Sequence, residues 1–219
     1  MPGAPGLVFA STGTRFTAYL VDLVVFAVIS VIVSGIVIGI LGRSASTATP
    51  SGVIRPTALA NTIGGIAGVV ISFVYFVGSW TAGRRATPGQ RVFKLQVGNA
   101  FDGRGLTLEQ AIRRWLALGY AFTILSLVPS LSGLATLLEV VWVLALIVTI
   151  ATSQTKQGLH DRFANTAVVQ PAGAGASGAA TVCLVIAIII AVLVILTLVA
   201  LIFVGGQVSE ILSAAGESI

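Results

Sequence analysis

Five residues in this sequence are of a type that does chemistry inside or beside a membrane: Arg15, Asp22, Glu139, His160 and Asp161. Asp22 lies six residues into an apolar run that opens at Phe16, so it sits roughly 9 Å along a helix at about 1.5 Å per residue. An acid at a helix centre costs about 2.5–3.5 kcal/mol. Residues kept in such places face a partner or water and mark ion or proton paths; the alternative is an ion pair that fixes helix packing. Arg15 lies two turns earlier on the same face, about 10 Å away by helical rise. At that distance it reaches Asp22 only by bending inward, and otherwise it anchors to lipid phosphates. His160 beside Asp161 suggests proton chemistry, because histidine titrates near neutral pH, or else a surface loop held by ion pairs. Glu139 is the remaining charge in an apolar run: a second acid for an ion path, or a partner for Arg43 or Arg55.

The elements that position these residues are membrane spans. Of 219 residues, 56% are hydrophobic and 9% charged, with a mean hydropathy of +1.05, against roughly 25% charged in a soluble domain. Apolar stretches over about 16–41 and 59–80 are each long enough to cross. The run from Trp115 to Thr152 is too long for one span, and Pro129 with Ser130, Ser132 and Gly133 predicts a hairpin of two helices, about 110–129 and 132–152. A fifth span is expected at 179–205, after a small-residue linker at 171–178, with a tail at 206–219. The first stretch reads as a span rather than a signal peptide, since its apolar run is about twice the usual length and no basic residue precedes Arg15. Residues 1–14 read as a tail.

Between the second and third spans, residues 81–109 are polar. Arg91–Val97 has strand-forming residues and Asp102-Gly103 is a turn signal, which together predict a short hairpin at the membrane surface. Thr107 with Gln110 fits a capping box and predicts a helix starting near Leu108. Gly35 and Gly39, and Gly64 and Gly68, have the spacing that lets helices pack closely or self-associate.

Orientation follows the positive-inside rule. With the N-terminus in the cytoplasm, the inner side carries Arg15, Arg84, Arg85, Arg91, Lys94, Arg104, Arg113, Arg114, Lys156 and Arg162, and the outer side only Arg43 and Arg55. This bias favours five spans with the C-terminus outside, and it accounts for the basic charge without nucleic acid. One cysteine and one histidine exclude an internal disulfide, a Cys-cluster metal site and a multi-histidine site. No nucleophile motif is present, so no enzyme activity and no cofactor are expected.

Taken together, these positions resemble the RDD family of bacterial membrane proteins, named for an arginine at the start of the first span, an aspartate within it and a second aspartate later. T-R-F-T-A-Y-L-V-D supplies Arg15 and Asp22 at the family spacing. A-T-P-G-Q-R-V, F-D-G-R-G-L-T and A-I-R-R-W resemble its middle segments, the last supplying Arg114, and G-L-H-D-R-F-A-N-T-A-V-V resembles its closing block with Asp161. Gln90 stands where the family usually has Lys or Arg, and the fifth span lies beyond the family core. The resemblance implies an all-α, polytopic protein of the bacterial plasma membrane, with a four-helix core at 15–170 and one extra C-terminal helix. Two functions are expected from different classes. One is a small transporter that exchanges Na+ or K+ for H+ at an Arg15, Asp22 and Asp161 cluster, with a homo-oligomer building the pathway. The other is an accessory or assembly subunit of a larger membrane complex. Arg15 is expected to pair with Asp161 and to lean its other donors toward Asp22.

Overall fold

The computed structural model describes residues 6–41, 46–48 and 54–173. The expected fifth span at 179–205, the tail at 206–219 and linker residues 174–178 lie outside the described residues.

Helix α1 (Thr12–Leu41) starts ahead of its apolar run because Ser11 caps it, the Thr14 amide donating to Ser11 Oγ at 3.1 Å. Strands β2 (Ser46–Ala48) and β3 (Ile54–Pro56) pair antiparallel beyond its far end. Helix α2 (Ala58–Thr81) returns, its first turn closed by the Thr57 side chain accepting from the Ala60 amide. The Gly35 and Gly39 pair and the Gly64 and Gly68 pair meet nothing within 4 Å of where a Cβ would stand. They are therefore not what joins α1 to α2, contrary to one expectation from their spacing.

The segment expected as a span at 110–129 is not one helix. It runs as α4 (Leu108–Trp115), a π-helical turn over Leu116–Tyr120 and α5 (Ala121–Leu125). The capping box at Thr107 and Gln110 is present, as the spacing predicts. The break centres on Gly119, whose φ of 132° is one that residues with a Cβ rarely adopt. A π-turn displaces the carbonyl ladder, and the Trp142 indole donates to the Ala117 carbonyl at 2.7 Å. Trp115 and Tyr120 stack across the same turn with ring centroids 5.2 Å apart. After a 3₁₀ turn at Pro129–Leu131, α6 (Ser132–Thr152) completes the hairpin where Pro129 marks it. Among the described residues, three helical stretches are long and apolar enough to cross a membrane: Thr12–Leu41, Ala58–Thr81 and Pro129–Thr152.

The described residues are mostly helical, with a second small sheet besides the β2–β3 pair. Strands β1 (Leu7–Phe9), β4 (Gln96–Asn99) and β5 (Thr166–Pro171) form an antiparallel sheet in the order β1-β5-β4. The strand signal near Arg91–Val97 was expected to fold back as a local hairpin; instead β4 pairs with β5 from far later in the chain. Leu7–Phe9 is a strand rather than part of a loose tail, and Pro171, expected to open the linker, ends β5. Two short helices, α3 (Pro88–Val92) and α7 (Leu159–Phe163), lie between the strands and the spans. One sheet built from these three segments puts them at the same end of the bundle.

The densest packing is at that junction. Ala10, Ala18, Phe76, Trp80, Leu95, Val97, Trp115 and Val168 belong to one buried core. The spans themselves leave large apolar side chains exposed, among them Ile32, Val74, Leu137 and Leu144, as lipid-facing helices do.

Replacing Gly119 by alanine forces a side chain into a left-handed backbone, and should destabilise the protein by about 1–3 kcal/mol. Unfolding of purified protein in detergent, with Gly133→Ala as control, measures this. Gly133 has open space around it and an ordinary backbone.

Candidate functional site

At the sheet end, one carboxylate is enclosed by two guanidinium groups. Asp161, the third residue of α7, is fully buried and accepts the Gly158 amide at 3.2 Å, so it helps start its own short helix. Arg15, from the first turns of α1, reaches its Oδ2 at 2.5 Å, and the other arm of Arg15 donates to the Lys156 carbonyl. Arg114, from the last turn of α4, pairs with Oδ1 and donates to Thr166 Oγ1 on β5 at 2.6 Å. The Arg114 guanidinium carbon sits 4.9 Å from the centre of the Trp80 ring, a cation–π contact. Four elements thus meet on one carboxylate.

Burial by itself would raise the Asp161 carboxyl. The Arg114 and Arg15 charges outweigh it and hold the group well below the usual carboxylate range. His160 Nε2 lies 3.4 Å from Asp161 Oδ1. Burial pushes the imidazole pKa down from 6.5 to about 3; Asp161 opposes this, and the two arginines reinforce it. The histidine is therefore neutral in the folded state near neutral pH. It is not charged to act as an acid there, and as a base its protonation is opposed by burial and by the two arginines.

Asp22 belongs to a separate arrangement. It is 2% exposed and accepts from Tyr75 Oη at 2.7 Å, Thr87 Oγ1 at 2.6 Å and the Gly89 amide at 2.8 Å. Among the described residues no cation pairs with it, and Arg15 does not lean toward it. Thr87 caps α3, and Pro88 occupies its first turn. The Thr87 hydroxyl accepts the Gln90 amide, while Gln90 Oε1 accepts the Thr87 amide. Asp22 therefore receives the open N-terminus of α3, where amides lack helical partners. Gly89 is required by proximity: a Cβ there would collide with the Ala18 carbonyl and stand 2.8 Å from the Asp22 carboxyl.

The two carboxylates are connected indirectly. Trp80 Nε1 donates to Gln90 Oε1 at 3.3 Å, and the same ring lies under Arg114. The path runs from Asp22 through Thr87, Gln90, Trp80, Arg114 and Asp161 to Arg15, and so returns to α1. Glu139 is not a member of this path. It is half-buried, 3.6 Å from where a Gly119 Cβ would stand, and no described cation pairs with it. Arg43, one partner expected for it, lies outside the described residues, as does the side chain of Arg55.

A cavity of about 590 Å³ lies beside the path, between α1 and α6. It is bordered by Arg15, Asp22, Arg114 and His160, and by apolar side chains including Phe16, Leu118 and Ile147.

A family model described as the RDD family matches residues 9–165, well over half of the chain. The chain belongs to the RDD family. Neither curated proteins nor solved structures gave a match. In RDD-family terms, the arginine and the second aspartate form one ion pair, with Arg114 as a second cation on the same carboxylate. The first aspartate holds a different segment of the chain. Thr87, Gly89, Tyr75 and Trp80 are partners of these charged groups that sequence reasoning missed. The spacing T-x-x-Q at Thr87 is the same capping signal read at Thr107, and could have exposed α3. Nothing in the sequence around Tyr75 points to Asp22.

Two guanidinium groups facing one carboxylate give an order of effects. Asp161→Asn leaves two buried cations unpaired and should cost about 3–5 kcal/mol or more. Arg15→Gln leaves the Arg114–Asp161 pair intact and should cost less, and adding Arg15→Gln to Asp161→Asn should recover part of the loss. Unfolding midpoints of the three variants in one detergent check this.

Acid should weaken the fold through His160. Its folded pKa is about 3 against 6.5, so the unfolded chain binds the extra proton between those values. The stabilising contribution is complete above pH 6.5 and is lost toward pH 3, by up to about 1.4 kcal/mol per pH unit. His160→Asn should flatten that slope between pH 6.5 and 4.5, where Asp161 does not titrate, as measured by thermal unfolding across the range.

Proposed function

We propose that this RDD-family membrane protein is a non-catalytic accessory or assembly module, and that its signature charges are architectural. The observation that supports this is that both aspartates are occupied by donors of the chain itself: Asp161 by Arg15, Arg114 and the Gly158 amide, Asp22 by Tyr75, Thr87 and Gly89. A translocated cation needs carboxylate oxygens with free lone pairs, and three of the roughly four acceptor sites of Asp22 are already used by the chain itself. The charges fasten α7, β5 and α3 to the spans. The unfilled faces at Gly35, Gly39, Gly64 and Gly68 suit association with a second copy or with other membrane subunits. On the positive-inside rule we assign the sheet to the cytoplasmic side of a bacterial plasma membrane.

The second reading is exchange of Na+ or K+ for H+. It is favoured by one observation, that Asp22 borders the cavity. Proteoliposomes separate the two. On our reading, purified protein shows no exchange above empty liposomes with sodium, lithium or potassium, and Asp22→Asn acts on stability alone, by about 1–3 kcal/mol. Exchange by the parent protein that disappears in a still-folded Asp22→Asn variant would reverse the assignment.

A further inference from the structure

The cavity has a built polar end and apolar walls, and its charges are distributed unevenly. Arg15, Arg114 and His160 border it, whereas Asp161, their shared carboxylate partner, does not. Arg15, Arg114 and Asp161 together carry one positive charge in excess, since His160 is neutral near neutral pH. Arg114 is 3% exposed, and its Nε has no hydrogen-bond partner. A buried guanidinium with an unmade hydrogen bond is costly, and it favours an anion in the volume that its residue borders. The other charged group at the cavity, Asp22, is two turns further along α1 and is already held by Tyr75, Thr87 and Gly89.

Thr12, Tyr19 and Gln90 add polar groups, and most of the remaining lining is apolar, including Phe16, Leu118, Val143, Leu146, Ile147 and Ile150. The cavity follows α1 from Thr12 to Asp22, about 15 Å at helical rise, or roughly half the ~30 Å hydrocarbon thickness. Its volume is in the ordinary range for small-ligand sites, roughly 300–1,000 Å³. Phe16, Val143 and Ile147 border it and are 54%, 41% and 45% exposed. Its mouth therefore lies between α1 and α6, at hydrocarbon depth, where an apolar molecule enters from lipid.

We infer that this cavity binds an anionic amphiphile, with the acidic head at Arg15 and Arg114 and a single acyl chain along the α1–α6 cleft. The head is a carboxylate, as in a free fatty acid, or a phosphate, as in an acidic phospholipid. Both place a negative charge beside Arg15 and Arg114 and compensate the surplus of that group.

Trp80 borders the cavity and reports on it. The full chain, purified in a neutral detergent, is titrated with a dibrominated stearate, and tryptophan quenching is followed. Saturable quenching that is relieved by unbrominated stearate, but not by phosphatidylcholine, supports the site. Relief by phosphatidylglycerol as well extends the head to phosphate, and its failure restricts the head to carboxylate. Arg15→Gln should weaken binding about tenfold or more, the loss of one charge-assisted contact. Ile147→Phe fills the cleft at an exposed position without touching the ion pairs, and should weaken binding by a similar factor even if Arg15→Gln does not fold. Equal quenching by a brominated phosphatidylcholine, relief by inorganic phosphate alone, or full affinity in a folded Ile147→Phe variant would overturn the inference.

Discussion

Asp161 holds the domain together because, among the described residues, it is the one anion shared by two cations, which come from distant segments of the chain. Arg15 opens the first span, Arg114 ends the amphipathic helix before the broken segment, and Thr166 ties the same arginine to the central strand. At a membrane surface these groups would each be better hydrated apart. Brought together out of water, every member depends on the others, since an unpaired buried charge costs several kcal/mol while a completed pair roughly breaks even. This makes the arrangement a device for specificity of assembly more than for net stability. It fixes which helix end meets which strand, a task that apolar spans in lipid, with little hydrophobic drive toward one another, leave undone.

Asp22 solves a different problem with the same residue type. A short helix lying against a span exposes amides that lipid will not solvate. Supplying a carboxylate from within the span, and a glycine where the two backbones meet, lets α3 dock closely with its N-terminus satisfied. The indole of Trp80 joins both arrangements, donating to Gln90 from its nitrogen and presenting its face to Arg114. The two signature acids thus belong to one continuous polar path, without direct contact between Arg15 and Asp22.

Much of this was legible in the residues, and the illegible part has definite causes. Pro129 and its small polar neighbours located the hairpin, and the capping box at Thr107 located α4, because both signals are local. The pairing of an inner-side arginine with Asp161 followed from placing both at one surface. Arg113 and Arg114, by contrast, are chemically identical neighbours. Packing alone decides that Arg113 stays exposed, 2.5 Å from Glu109, while Arg114 is buried on Asp161. The π-turn at Gly119 arises from Trp142 and from stacked rings, which no local pattern encodes. The sheet was hidden because its strands are three to six residues long and come from three distant segments, so periodicity has too few residues to register. The depth of Asp22 correctly demanded a partner, but hydroxyls and an amide serve a carboxylate as well as a cation does.

The separation between Arg15 and Asp161, 146 residues along the chain, has a consequence for biogenesis. At synthesis rates of roughly 5–20 residues per second, several seconds to about half a minute pass between the emergence of the arginine and of its partner. During that interval the first two spans are already in the bilayer, with Arg15 facing lipid headgroups or the insertion machinery. The edge strand β1 has no sheet to join until β5 is made. The fold therefore closes from its late-made end, and a chain stalled before residue 161 is an inserted but unlatched intermediate, with a free cation and an open strand edge at the membrane surface. Quality control that recognises such features would distinguish incomplete chains from finished ones without reading the spans at all.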